Sequence, residues 1–231
     1  MNSTFQFLSF SDPNVLFVVL GTMILGAAAA IVGCFSFLRK RALVGDAIAH
    51  SILPGICLAF MVSGNKNPFY LIIGAFITGW LSLLLIDGIT RTTKLKSDTA
   101  IGIILSIFFG IGILLLTSIQ HSGNAAQAGL DKFLFGKAAS LTKDDIYVFS
   151  SIAIILVMVV VLFYKEFKLI SFNPDYAKVI GLPVRFLEFM LATITVLAVA
   201  VGIQAVGVVL MAALLITPAS GARFWTDKLS I

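Results

Sequence analysis

Seven apolar runs, each about 20 residues long, occupy most of this 231-residue chain. They fall at roughly 15–38, 42–63, 68–88, 99–119, 145–164, 186–203 and 206–222. About 20 apolar residues are what a helix needs to cross a hydrocarbon core. In that medium the backbone must satisfy its own polar groups, so only helices and closed barrels can span it. Barrel strands are about half as long and alternate in polarity. The runs therefore predict an all-α, polytopic membrane protein with about seven transmembrane helices. Only 12% of the residues are charged, against ~25% in soluble domains. No polar block is long enough to fold separately, so 1–231 reads as a single transmembrane domain.

A formal charge of +5 invites a nucleic-acid reading, and the distribution of charge argues against one. Lys and Arg fall in short clusters between apolar runs, as orientation signals do. With the N-terminus outside, the clusters at 39–41, 91–96, 165–185 and 223–228 all face the cytoplasm. That arrangement puts 12 of the 16 basic residues inside and leaves Lys66, Lys132, Lys137 and Lys143 outside. Cys34 and Cys57 lie within apolar runs and form no C-x-x-C, so they read as small buried hydrophobes. No basic residue precedes Arg39, so Ala27–Ala30 reads as a helix-packing surface rather than a signal-peptide cleavage site. Small residues at helical spacing, Gly102, Ser106 and Gly110 and also Gly74, Thr78 and Ser82, read as packing stripes between helices.

Asp46 and His50 interrupt the second run. A spacing of four sets both side chains on one helical face, one turn apart. A carboxylate within hydrocarbon costs at least ~2.5 kcal/mol, so it marks a pathway or site by default. Carboxylate oxygen and imidazole nitrogen also suit a divalent transition metal, although two ligands cannot fill a shell of four to six. The alternative is a structural hydrogen bond between neighbouring turns. Glu188 is a weak further candidate, with Arg185 three residues away as an expected ion-pair partner. Asp87 reads as a helix-end partner of Arg91, and His121 as a loop residue. Pro54 and Gly55, one turn beyond His50, predict either a helix break that exposes carbonyls or a plain kink; Pro218 has the same ambiguity.

The segment at about 171–185 predicts a short cytoplasmic helix. Asn173 can cap it, Pro174 fits its first position and Asp175 complements its positive end. Gly181 supplies a stop and Pro183 prevents continuation. Such a helix can carry force from a soluble motor into a membrane domain, or it can be a structured loop. An intramembrane zinc protease would need H-E-x-x-H, and no two histidines are near each other. Ser51 beside His50 is no dyad, because adjacent helical residues point in different directions. There is no Walker A motif, so any ATP hydrolysis belongs to another subunit.

Three stretches together resemble one family. Arg41-Ala-Leu-Val-Gly-Asp-Ala-Ile-Ala-His-Ser-Ile-Leu-Pro-Gly-Ile56, Ala177-Lys-Val-Ile-Gly-Leu-Pro-Val184 and Gln204 through Arg223 are similar, in order, to signatures of permease subunits of ATP-binding-cassette importers for manganese, zinc and iron. The resemblance implies a permease homodimer in a bacterial plasma membrane, two cytoplasmic ATPase subunits and an extracellular metal-binding lipoprotein. No permanent cofactor is implied; the divalent metal ion is cargo. Asp46 and His50 match the family's acidic and histidine positions, which implies a translocation role. Asn173, Pro174, Asp175, Ala177, Gly181 and Pro183 match its ATPase-coupling segment. Family members usually continue for about one or two more spans, so the resemblance also implies a C-terminally shortened chain. A secondary transporter for metal ions is the runner-up reading.

Overall fold

The computed structural model describes residues 13–39, 42–64, 67–121, 135–136 and 143–226. Among them are ten helices and no strand. They are α1 (Pro13–Leu38), α2 (Ala42–Ser51), α3 (Leu53–Ser63), α4 (Pro68–Thr92), α5 (Ser97–His121), α6 (Lys143–Leu162), α7 (Tyr164–Phe172), α8 (Pro174–Val179), α9 (Val184–Val206) and α10 (Val208–Arg223). The expected outer connector between the fourth and fifth runs lies largely outside the described residues.

Six stretches are long and apolar enough to cross a membrane, and α2 with α3 form one of them. The seventh expected run becomes α10, whose 16 residues rise ~24 Å, short of a ~30 Å core. The chain is thus an all-α polytopic membrane protein, with six full spans and a shorter apolar helix among the described residues. The gap at 204–205 between the last two expected runs is not where the chain turns. α9 runs on through Gln204 to Val206, and Gly207 makes the turn at φ 84°. Glycine takes that left-handed backbone without Cβ strain; Gln204 is instead buried within α9.

The second span is the axis of the fold. Its apolar window is 72% buried, more than in any other span, and α2 touches α1, α4, α5, α9 and α10. One close approach sets its outer half. A Cβ added to Gly55 would lie 2.1 Å from the Gly74 carbonyl oxygen, and one on Gly74 would lie 2.3 Å from that of Gly55. Backbones approach this closely in lipid only where side chains are absent. Thr78 tightens the seam, its hydroxyl reaching the carbonyls of Gly74 at 3.2 Å and of Ile52 at 3.4 Å. Ser82 is fully buried and donates to Gly79, so the α4 stripe packs as expected. The α5 stripe does not. A Cβ on Gly102 or Gly110 would meet nothing within 4 Å, and that face is exposed.

Pro54 does not unwind this span. Ile52, between α2 and α3, keeps helical angles (φ −73°, ψ −25°). The bonds Ile52 N–H to Ile48 O and Ile56 N–H to Ile52 O persist on either side, both at 3.1 Å. Proline has no N–H, so the His50 carbonyl loses its ordinary donor four residues on. Helical bonding nonetheless continues on both sides of it. Pro218 likewise sits inside a continuous α10.

Candidate metal pair and coupling helix

The central span brings Asp46 and His50 together. His50 Nε2 lies 3.6 Å from Asp46 Oδ1, just beyond a hydrogen bond. Two ligands ~2.0–2.2 Å from one ion are ~2.8–3.6 Å apart at right-angled to tetrahedral bite. The pair stands at the wide end of that range. The His50 ring stands edge-on against Phe109 of α5, with centroids 5.3 Å apart and planes at 88°, which limits its rotation. The side chains retain 43% (Asp46) and 30% (His50) of their exposure. They open from the axis of the fold towards a face the described chain leaves free. Ser51, next along, is wholly buried and points elsewhere, as adjacent helical positions must.

Nothing else among the described residues completes a coordination shell. Among the described residues no group of three His, Cys, Asp or Glu is placed to hold a metal. Glu188 is paired, and with a residue that sequence spacing did not suggest: Arg39, at the end of α1, donates from its Nη2 to Glu188 Oε1. Arg185 is exposed on the first turn of α9. Val44 and Glu188 line the same small recess. Asp46, two residues after Val44, lies ~200° round the helix from it. His121 turns its Nδ1 to the Thr117 carbonyl at 2.8 Å, at the end of α5. Cys57 is buried with its Sγ towards the Gly112 carbonyl, in keeping with a packing role.

The segment expected to couple to an ATPase folds as its residues dictate. Asn173 Oδ1 accepts from Tyr176 N–H at 3.0 Å, capping α8, and Pro174 begins the helix. Lys178 Nζ donates to Asp175 Oδ1 at 3.0 Å. At the other end Leu182 N–H bonds Ala177 O and Gly181 N–H bonds Lys178 O, both at 3.1 Å, with Gly181 at φ 83°. This double bond pattern is a Schellman stop. The helix is six residues, shorter than two full turns. Ala177 is buried, whereas Tyr176, Val179 and Ile180 are exposed beside Phe172. α8 therefore presents an apolar knob fixed by its own caps.

Comparison with known proteins follows this geometry. The chain is 50% identical over 223 residues to the manganese transport system membrane protein MntC of Bacillus subtilis, covering 96% of this chain and 51% of that protein. It is 44% identical over 222 residues to the zinc transport system membrane protein TroC of Treponema pallidum, covering 96% and 74%. Its fold matches PsaBC from Streptococcus pneumoniae, solved in complex with Fab, at a TM-score of 0.84 and 30% identity, over 97% of this chain and 78% of that one. The chain thus spans about half the length of the Bacillus relative. Residues 11–231 match the model of the ABC 3 transport family, and the chain belongs to that family.

Proposed function

We propose that this chain is the membrane-spanning permease of an ATP-driven importer of divalent transition-metal ions, with Asp46 and His50 holding the ion during passage. The observation that carries this reading is the Asp46–His50 pair itself, 3.6 Å apart on the most buried span and open on one side. Manganese is the favoured cargo, since the MntC relative is half identical and bears a manganese name; zinc, as in TroC's name, and iron(II) suit the same ligands. For a given site zinc binds more tightly than manganese, so selection of manganese would lie in delivery or kinetics. The shell is half built, which supports a second permease copy whose own pair or bound water completes it.

The remaining partners follow from the ends of the molecule. The exposed knob of α8, with Phe172, Tyr176 and Val179, suits a groove on a cytoplasmic ATPase subunit. An extracellular metal-binding lipoprotein would deliver the ion at the opposite face. The 12-to-4 distribution of basic residues supports a bacterial plasma membrane location with the N-terminus outside. ATP binding and hydrolysis, felt through α8, would switch access to the pair from outside to inside. A secondary transporter would need no such capped knob. The test is uptake of radioactive manganese into vesicles that contain the permease with its ATPase and binding protein. ATP-dependent uptake, reduced in Asp46→Ala and His50→Ala complexes that still assemble and hydrolyse ATP, is expected. Equal uptake by both variants would sink the reading.

A further inference from the structure

Arg39 and Glu188 are 149 residues apart in sequence and form an ion pair between distant helices. Their location matters more than their charge. Arg39 closes α1, and only residues 40 and 41 separate it from α2, which carries Asp46 and His50. Glu188 is on the second turn of α9, which begins directly after the coupling segment. The side chain of Arg39 is 12% exposed and that of Glu188 is 28% exposed, so water screens the pair weakly.

The path from α8 to this pair is stiff. Ala177 is fully buried at the base of α8, and the Leu182-to-Ala177 and Gly181-to-Lys178 bonds lock the turn. Pro183 and the Leu187 N–H bond to its carbonyl, at 3.1 Å, set the start of α9. Farther along, Val196 of α9 and Ile48 of α2 converge on the same surface of α4. A Cβ on Gly79 would lie 3.0 Å from Val196 and 3.2 Å from Ile48. Trp80 of α4 packs edge-on to Phe189, the neighbour of Glu188, at 5.2 Å. A displacement of α8 therefore reaches α9, and α9 holds the end of α1, just ahead of the metal-bearing span, through a directional, charged bond.

We propose that the Arg39–Glu188 bond is the tie through which movement of the coupling segment is passed to the helix carrying Asp46 and His50. Both residues are positioning residues; Glu188 acts on α2 and holds no ion. The proposal rests on the permease reading above. Apolar contacts between α9 and α2 can slide, whereas a guanidinium–carboxylate bond fixes direction. Loss of the tie would leave ATP hydrolysis and metal movement poorly matched.

The experiment measures manganese transported per ATP hydrolysed by the full complex in vesicles, compared at equal assembled complex. The variants are Glu188→Gln, Arg39→Gln, the exchange Arg39→Glu with Glu188→Arg, and the conservative Arg39→Lys. The ratio should fall about tenfold in each Gln variant, within the ~5- to 150-fold range of coupling between sites. It should return to within about threefold in the exchange, the signature of a direct pairwise interaction, and Arg39→Lys should keep most of it. Equal ratios in wild type and both Gln variants would overturn the tie, as would an exchange no better than the single variants. A wild-type complex without ATP-dependent uptake would instead overturn the functional reading on which the tie rests. Should a Gln variant fail to assemble, the exchange and Arg39→Lys decide the matter alone.

Discussion

Two acid–base pairs flank the start of the second span, and they differ in every respect that decides what a pair can do. Asp46 and His50 are one turn apart on a single helix, do not reach hydrogen-bond distance and stay part-exposed. Arg39 and Glu188 come from opposite ends of the chain, bond directly and are largely covered. The first pair keeps lone pairs free for a ligand. The second is engaged in a direct bond that holds two helices together. Polar groups in a membrane domain thus sort by whether they are already bonded to a partner, and not by their cost in hydrocarbon alone.

The comparison can be broken most forcefully at the open pair. Asp46→Ala or His50→Ala should lower ATP-dependent metal uptake at least ~100-fold, beyond the ~10- to 100-fold that loss of an outer-shell partner costs. Asp46→Ala should leave the thermal stability of the purified complex within ~0.5 kcal/mol of wild type, whereas His50→Ala also gives up the edge-on contact with Phe109 and should cost about 0.5–1.5 kcal/mol. Wild-type uptake or a large stability loss would make this pair structural. Glu188→Ala should behave the other way. It takes the Glu188 carboxylate from a guanidinium with 12% exposure and should cost ~1–3 kcal/mol, below the ~3–5 kcal/mol of a fully buried pair because Glu188 is partly exposed. Denaturant or thermal unfolding in detergent would measure it, and an unchanged midpoint would show the bond to be incidental.

Smaller effects test the frame around both pairs. Asn173→Ala removes the Tyr176 cap and should destabilise α8 by ~1 kcal/mol. The readout is faster protease cleavage near 174–180, together with weaker retention of the ATPase subunit. Unchanged cleavage would show that packing of Ala177 alone fixes the helix. Gly102→Ala should have the least effect on the isolated chain, since its Cβ meets nothing within 4 Å; helix propensity favours it by ~1 kcal/mol. If the variant weakens the assembled complex while sparing the chain itself, that face of α5 is covered by another subunit.

Local chemistry made much of this legible in advance. Apolar run length fixed the spans to within a few residues, because hydrocarbon thickness is a single external ruler. The coupling helix was readable because Asn173, Pro174, Gly181 and Pro183 act within four residues of where they sit. Asp46 and His50 were readable because helical spacing alone brings them together. The partner of Glu188 was not: spacing offers Arg185, and only the packing of α1 against α9 brings Arg39 across. The turn between α9 and α10 needs a positive φ, so it falls at Gly207, just beyond the 204–205 gap between the expected runs. The exposed α5 stripe shows the same limit, since small residues at helical spacing do not say which neighbour they await.

Direct spectroscopy of the bound ion tests the central assignment best. Manganese(II) bound to the assembled permease complex should show hyperfine coupling to an imidazole nitrogen by pulsed electron paramagnetic resonance. That coupling should vanish in His50→Ala, and Asp46→Ala should lower manganese occupancy. An undiminished imidazole signal in His50→Ala would contradict the account, because His121, the remaining histidine, lies at the far end of α5 from the pair.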